Sequence, residues 1–413
     1  MNFDKAKIRI SKILDEYAGG LVILFFLLFK FFRPEKPPPA SVRKILVIKF
    51  WGIGSIILFE PALRALYRTY PHVEIQYLTL RQNEDLFALI PSVKKVYALA
   101  FANPAAVLLK SIALIHRLRN EKFDLILDAE FFVNYSAIMA RLAGGKCIVG
   151  FARSKGIKNH LLHVAVPFLD GLHTTEQFLR LVQDVPLSRA DFASPRLLLE
   201  SNGVLRTKRF SNLNPYVVIN INASPLATER RWPRERFTEL ARALLETYEF
   251  DVVLIGSKSE RVYVAPAAQA LENPQRVRNL AGELNLVELA DVLKHAILFI
   301  SNDSGPIHLA AALQIPVVGF YGPETPRRYG PLTPKRLVFY QHLWCSPCMS
   351  VDNAKTVNCI NHLACMKEIE TEVVIARVCR FIDEVILPDW KSELKSDQNQ
   401  RKEKGKTIWG KTI

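Results

Sequence analysis

Cysteine is scarce in this chain, with six in 413 residues, too few for a disulfide scaffold at this length. A reducing compartment is the expectation. Acidic residues are outnumbered, 40 against 55 Lys and Arg, for a formal charge of +15. That disfavours cationic partners and suits anionic ones: nucleotide phosphates, acidic lipid or nucleic acid. No DNA- or RNA-binding motif is present, so nucleic acid is set aside. The full Gly-x-Gly-x-x-Gly turn is missing, which argues against a dinucleotide oxidoreductase. Long apolar runs are also missing. The strongest, residues 18–29, ends at Lys30, short of the ~20 residues of a full span.

What is present around that run is basic and proline-rich. Lys5, Lys7, Arg9 and Lys12 precede it, as in a signal peptide, but Arg33-Pro-Glu-Lys-Pro-Pro-Pro39 follows where a small-residue cleavage site would lie. A membrane-associated hairpin or interfacial helix is one expectation, with the cations at anionic headgroups. A helix docked on its own domain is the other. Residues 1–40 are read as this segment plus a stiff spacer.

Beyond it, 49% hydrophobic residues over this length predict two filled cores. The clearest unit lies at 296–321. An apolar run predicts a buried strand, Ser301-Asn-Asp-Ser-Gly305 a turn, Pro306 a first helical position, and residues 317–321 the next strand. A glycine-bearing turn at a helix N-terminus suits phosphate, through free N–H groups and the helix dipole. Residues 41–200 alternate similarly: a strand at 44–50, a turn with Gly52 and Gly54, a helix at 56–70, and strands at 73–80, 123–127 and 147–151. Asp128 and Glu130 stand at a strand end. His173 and Glu176 share one helical turn, open either to substrate contact or to capping.

A second alternation, 213–387, follows a linker at 186–214. After a strand at 216–221 come Ser224, Thr228, Arg230 and Arg231; guanidinium groups pair well with phosphate oxygens. Gly256 opens a turn closed by Glu260, suited to a ribose hydroxyl or to starting the next helix. Cys345, Cys348, Cys359 and Cys365 fall within 345–365, the first two at zinc-ligand spacing, so structural zinc stands against plain thiols. Residues 388–413 are polar and lysine-rich, a tail expected to be disordered and able to touch acidic lipid.

Taken in order, Lys49-x-x-Gly-Ile-Gly-Ser55, Pro61-Ala-Leu63, Gly150-Phe151, His173-x-x-Glu176, Arg230-Arg-Trp-Pro233, Gly256-x-x-x-Glu260, Asn279-Leu-Ala-Gly282, Asp303-Ser-Gly-Pro-Ile-His308 and Phe320-Tyr-Gly-Pro323 resemble glycosyltransferase family 9, the lipopolysaccharide heptosyltransferases. The resemblance implies an α/β GT-B fold of two facing Rossmann-like domains, with a final helix that often returns to the first domain. It implies inverting transfer of a sugar, heptose above all, from a nucleoside-diphosphate donor to a lipid-linked glycan. The implied location is the cytoplasmic face of the inner membrane.

By motif match, Ser224, Thr228, Arg230, Glu260, Asp303, Ser304, Gly305 and His308 would hold the donor. Lys49, Gly54, His173 and Glu176 would face the acceptor. No Asp-x-Asp motif is evident, so no metal cofactor is demanded. One departure matters: Ser55 stands where the family has its proposed catalytic Asp. Glu130, or else Glu60, is then the candidate base; a non-catalytic sugar-nucleotide or glycan-binding relative is the alternative.

Overall fold

The computed structural model describes residues 15–28, 41–100, 104–153, 156–183, 214–223, 225–351 and 357–390. Ser224, most of the linker at 186–214, the spacer and most of the basic tail lie outside them.

Among the described residues, twelve strands form two six-stranded parallel sheets. The first holds β1 (Lys44–Ile48), β2 (Glu74–Leu80), β3 (Val93–Leu99), β4 (Leu125–Asp128), β5 (Cys147–Ala152) and β6 (Val164–Pro167), in the order β3-β2-β1-β4-β5-β6. The second holds β7 (Tyr216–Asn220), β8 (Asp251–Leu254), β9 (Val277–Asn279), β10 (Leu298–Asn302), β11 (Val317–Tyr321) and β12 (Arg336–Tyr340), in the order β12-β11-β10-β7-β8-β9. Counted from its own first strand, each lobe has the doubly wound order 3-2-1-4-5-6. The order reverses between β1 and β4 in one lobe and between β7 and β10 in the other. Ligands bind outside the strand ends at such reversals.

The central strands are continuous apolar runs because helices cover both faces. The helices that matter below are α1 (Gly20–Leu28), α2 (Ile53–Leu58), α3 (Glu60–Thr69), α4 (Pro104–Glu121), α5 (Asn134–Ala143), α6 (Thr174–Gln183), α7 (Arg234–Thr247), α8 (Arg261–Ala270), α9 (Leu286–Lys294), α10 (Gly305–Ala312) and α11 (Thr371–Phe381). The helix expected at 56–70 is two helices that break at Phe59, and the first begins three residues early. Gly52 makes that early start possible: its φ of 83° lies where a side chain is strained.

The lobes touch. α2 packs against α10, and the 3-10 segment Arg81–Leu89 packs against α9. Gly54 is a close approach between them: a Cβ there would lie 2.5 Å from His308 Cδ2. α11, expected to cross back, packs on α7 and β12 of its own lobe, with Val374 and Val378 fully buried. At the other end, α1 docks on the first lobe. Ile23 is buried with Ala137 and Leu161, and Asp15 accepts hydrogen bonds from the first N–H groups of α5, Asn134 (2.9 Å) and Tyr135 (2.7 Å). Among the described residues, no helix is long and apolar enough to cross a membrane.

Candidate active site

The second lobe builds its strand-end floor from polar residues that terminate apolar strands. Asn220, last in β7, donates to Ser301 Oγ and Ser304 Oγ, each at 3.1 Å. Asn302, last in β10, donates to the carbonyls of Ile221 (3.0 Å) and Asn222 (3.2 Å) and accepts from the Trp232 N–H (2.8 Å). Trp232 is fully buried, stacks on Phe320 at 4.5 Å and donates from its indole to Ile369 O at 2.9 Å. That anchor fixes the loop carrying Arg230.

Arg230 lies against the turn after β10, with Nη1 3.0 Å from Asp303 Oδ2 and both side chains nearly buried. Its buried Nε donates to nothing among the described residues. An unspent donor beside a carboxylate-held guanidinium suits an anionic ligand. α10 starts at the same turn. Its N-cap, Ser304, makes no side-chain cap, so the first N–H groups remain for a ligand. Arg231 is used otherwise: it donates to Ala223 O at 3.1 Å and lies over the Tyr263 ring. Thr228 sits half-buried in the 3-10 segment leading to Arg230.

Glu260 here closes a capping box, accepting from the N–H and hydroxyl of Ser257, both at 2.8 Å. Helix capping is one of its two expected uses, and both of these hydrogen bonds fall on Oε2. At Gly256, which opens this turn, a Cβ would lie 2.8 Å from Asn222 Nδ2, so a larger residue would displace that side chain.

The first lobe answers with charges. Glu130, after β4, accepts at Oε1 from the N–H groups of Phe50 (2.6 Å) and Trp51 (2.8 Å), and at Oε2 from Lys49 Nζ (2.8 Å). Lys49 also donates to Trp51 O at 2.9 Å. Asp128, fully buried, pairs with Lys158 at 2.8 Å, and Lys158 donates to Glu130 O at 2.8 Å. Burial pushes the Asp128 carboxyl up from its ordinary value, and Lys158 opposes that. This network clamps the β1–α2 turn to the end of β4.

The expectation that Glu130 faces the acceptor as a base therefore meets a carboxylate with three hydrogen bonds to the β1–α2 turn. Lys49, expected at the acceptor, is its partner. Ser55 is nearly buried in the first turn of α2, beside Gly52. Glu60 pairs with Arg64 at 2.8 Å, one helical turn on.

His173 and Glu176, expected to meet the acceptor, make different contacts. Glu176 caps α6 by accepting the His173 N–H at 3.0 Å. His173 Nε2 reaches Gly330 O of the other lobe at 3.0 Å, while Nδ1 accepts from Thr175 N at 3.2 Å. The imidazole is thus a neutral tie between lobes, and burial holds its pKa below the ordinary value.

Among the described residues, no three His, Cys, Asp or Glu side chains form a group that could hold a metal ion. Cys345, Cys348, Cys359 and Cys365 instead line one hollow of about 170 Å³. Cys359 Sγ accepts from Leu363 N at 3.1 Å, Cys345 Sγ from Asn361 at 3.7 Å, and burial pushes the Cys365 thiol up to about 12.

Asn220, Asn302 and Lys158 were not singled out from sequence. The one signal for the asparagines is a polar residue closing an apolar strand. Lys158 carries no local signal, because its partner lies thirty residues away.

Two doubly wound lobes meeting at their helix N-termini, with a buried arginine at the second lobe's strand reversal, define the GT-B architecture. The family model for glycosyltransferase family 9 (heptosyltransferase) matches residues 111–357, and the chain belongs to that family. It is 27% identical over 310 residues to lipopolysaccharide heptosyltransferase 2 of Escherichia coli strain K12, covering 71% of this chain and 87% of that one. The solved E. coli ADP-heptose lipopolysaccharide heptosyltransferase II superposes with a TM-score of 0.67 at 24% identity, covering 82% of this chain and 98% of that one. A family 9 glycosyl transferase from Veillonella parvula gives a TM-score of 0.68 at 19% identity, covering 83% and 98%.

Proposed function

We propose that this enzyme transfers heptose from ADP-heptose to a lipid-linked core saccharide with inversion at the anomeric carbon. The support is the E. coli relative's stated activity and the donor in the matching structure's description. The observation that carries the reading is Arg230 beside Asp303 at the uncapped start of α10. In this reading an acceptor hydroxyl oxygen bonds to the anomeric carbon as the bond to phosphate breaks. ADP leaves with the electron pair, and the Arg230 guanidinium and α10 N–H groups meet its growing charge. Asp303 and Ser304 border the sugar, and Glu260 the ribose.

The hydroxyl proton passes to a carboxylate of the first lobe, Glu130 or Glu60. The test is ADP release with ADP-heptose and a core acceptor, with the product's anomeric configuration read by NMR. Arg230→Ala should lower kcat by roughly 10²–10³-fold, as loss of one oxyanion donor does. An unchanged kcat would remove the reading's main support. Full rates in Glu130→Gln and Glu60→Gln would dismiss both bases.

Ser55, at the position of the family's proposed base, favours a second reading: a relative that binds the sugar nucleotide without transferring it. Binding of ADP-heptose with no ADP release, with and without acceptor, would support that reading.

A further inference from the structure

α1 and its leading turn bury one side against α5 and leave the other uncovered. Tyr17, Leu21, Val22, Leu24 and Phe25 are 40–70% exposed. A second apolar face lies close by on α4, where Leu108, Leu109 and Ile112 are about 60% exposed or more. Tyr135 joins the two: its N–H donates to Asp15 Oδ1 at 2.7 Å, and its hydroxyl lies 2.6 Å from Ser111 Oγ of α4. Both helices therefore flank the first turn of α5, which starts four residues after Glu130. Clusters of large apolar side chains on this scale mark interaction surfaces.

We propose that this two-helix face rests on an anionic lipid bilayer, lying in the headgroup region without spanning. α1 contributes nine residues with no charge, too short to cross. Charge complementarity selects lipid. In sequence, Lys5, Lys7, Arg9 and Lys12 precede α1, Lys30 and Arg33 follow it, and exposed Lys110 lies between Leu109 and Ser111. An uncharged apolar stretch flanked in sequence by cations is the pattern of interfacial helices on acidic membranes. Asp4, Asp15, Glu16 and Glu35 of the same stretch oppose this but are outnumbered by its Lys and Arg residues. The consequence for catalysis rests on the proposed lipid-linked acceptor: the first lobe's strand ends would open toward the leaflet carrying it.

The test is co-sedimentation of the full chain with vesicles of phosphatidylethanolamine and phosphatidylglycerol (3:1), and with phosphatidylcholine alone. The wild type should bind the first set, weakly bind the second, and release in high salt. Leu108→Glu/Leu109→Glu/Ile112→Glu and, separately, Leu21→Glu/Phe25→Glu should each weaken binding by roughly tenfold or more, since two signals are needed for stable anchoring. Val262→Glu, at an 85% exposed site on the second lobe, should change nothing. Transfer to acceptor in vesicles should fall with binding, and transfer to a deacylated soluble acceptor should not.

Unchanged binding by the α4 variant would overturn the two-helix face. So would a wild type that ignores phosphatidylglycerol vesicles, or one that sediments as a dimer which the α4 substitutions split. If the wild type does not glycosylate even the soluble acceptor, the transferase reading fails, and the vesicle result still judges the surface.

Discussion

Replacing Glu130 by Gln tests whether this carboxylate is a clamp or a base. In the wild type its side chain and that of Lys49 are 4% and 3% exposed, so water screens the pair little. Gln keeps one carbonyl oxygen for the N–H groups of Phe50 and Trp51. Its amide must then face the Lys49 ammonium, donor against donor, and leave a buried charge unpaired. Breaking a buried pair from one side costs about 3–5 kcal/mol. For a lobe of this size that corresponds to a fall in Tm of roughly 6–20 °C.

Thermal and urea denaturation followed by circular dichroism would read the loss. Lys49→Met/Glu130→Gln removes both charges, keeps a carbonyl oxygen for the Phe50 and Trp51 N–H groups, and should recover most of the stability. If Glu130→Gln instead melts within about 1 °C of wild type, a shift under 0.5 kcal/mol, yet loses transfer, the clamp argument is wrong and Glu130 is the base.

Two further outcomes are expected. Gly54→Ala places a methyl 2.5 Å from His308 Cδ2 and should destabilise the protein by about 1–3 kcal/mol, as overpacking does, with a slower turnover; His308→Ala on that background should restore stability, measured by calorimetry. The neutral His173 tie binds fewer protons folded than unfolded, because burial lowers its pKa from 6.5, so its stabilisation is complete above that value and declines as pH falls below it. His173→Gln keeps an N–H for Gly330 O without titrating, and its Tm should fall less than wild type's between pH 7 and pH 5.

The readable part of the fold was its interior. Strands covered on both faces, such as Lys44–Ile48 and Val317–Tyr321, are unbroken apolar runs and were placed within a residue or two. Val93–Leu99, Val164–Pro167, Val277–Asn279 and Arg336–Tyr340 were not anticipated, and they are the four sheet edges. An edge strand has a neighbour on one side only, so it is free to be short or charged: Lys94, Lys95, Arg278 and Arg336 are exposed and Pro167 ends one strand. Similar logic divides the site. Arg230 and Asp303 were legible because loop chemistry advertises them. Glu130's engagement with Lys49 joins residues eighty-one apart, and only the adjacency of β1 and β4 brings them together.

Asp15 gives the leading residues a job besides the proposed adhesion. It occupies the two amides that open α5, the helix rising directly from the floor on which Glu130 lies. A recombinant protein trimmed to improve solubility would lose that lid on the helix along with its greasy stretch. Weak turnover in such a preparation would then report a loosened floor as much as a missing tether.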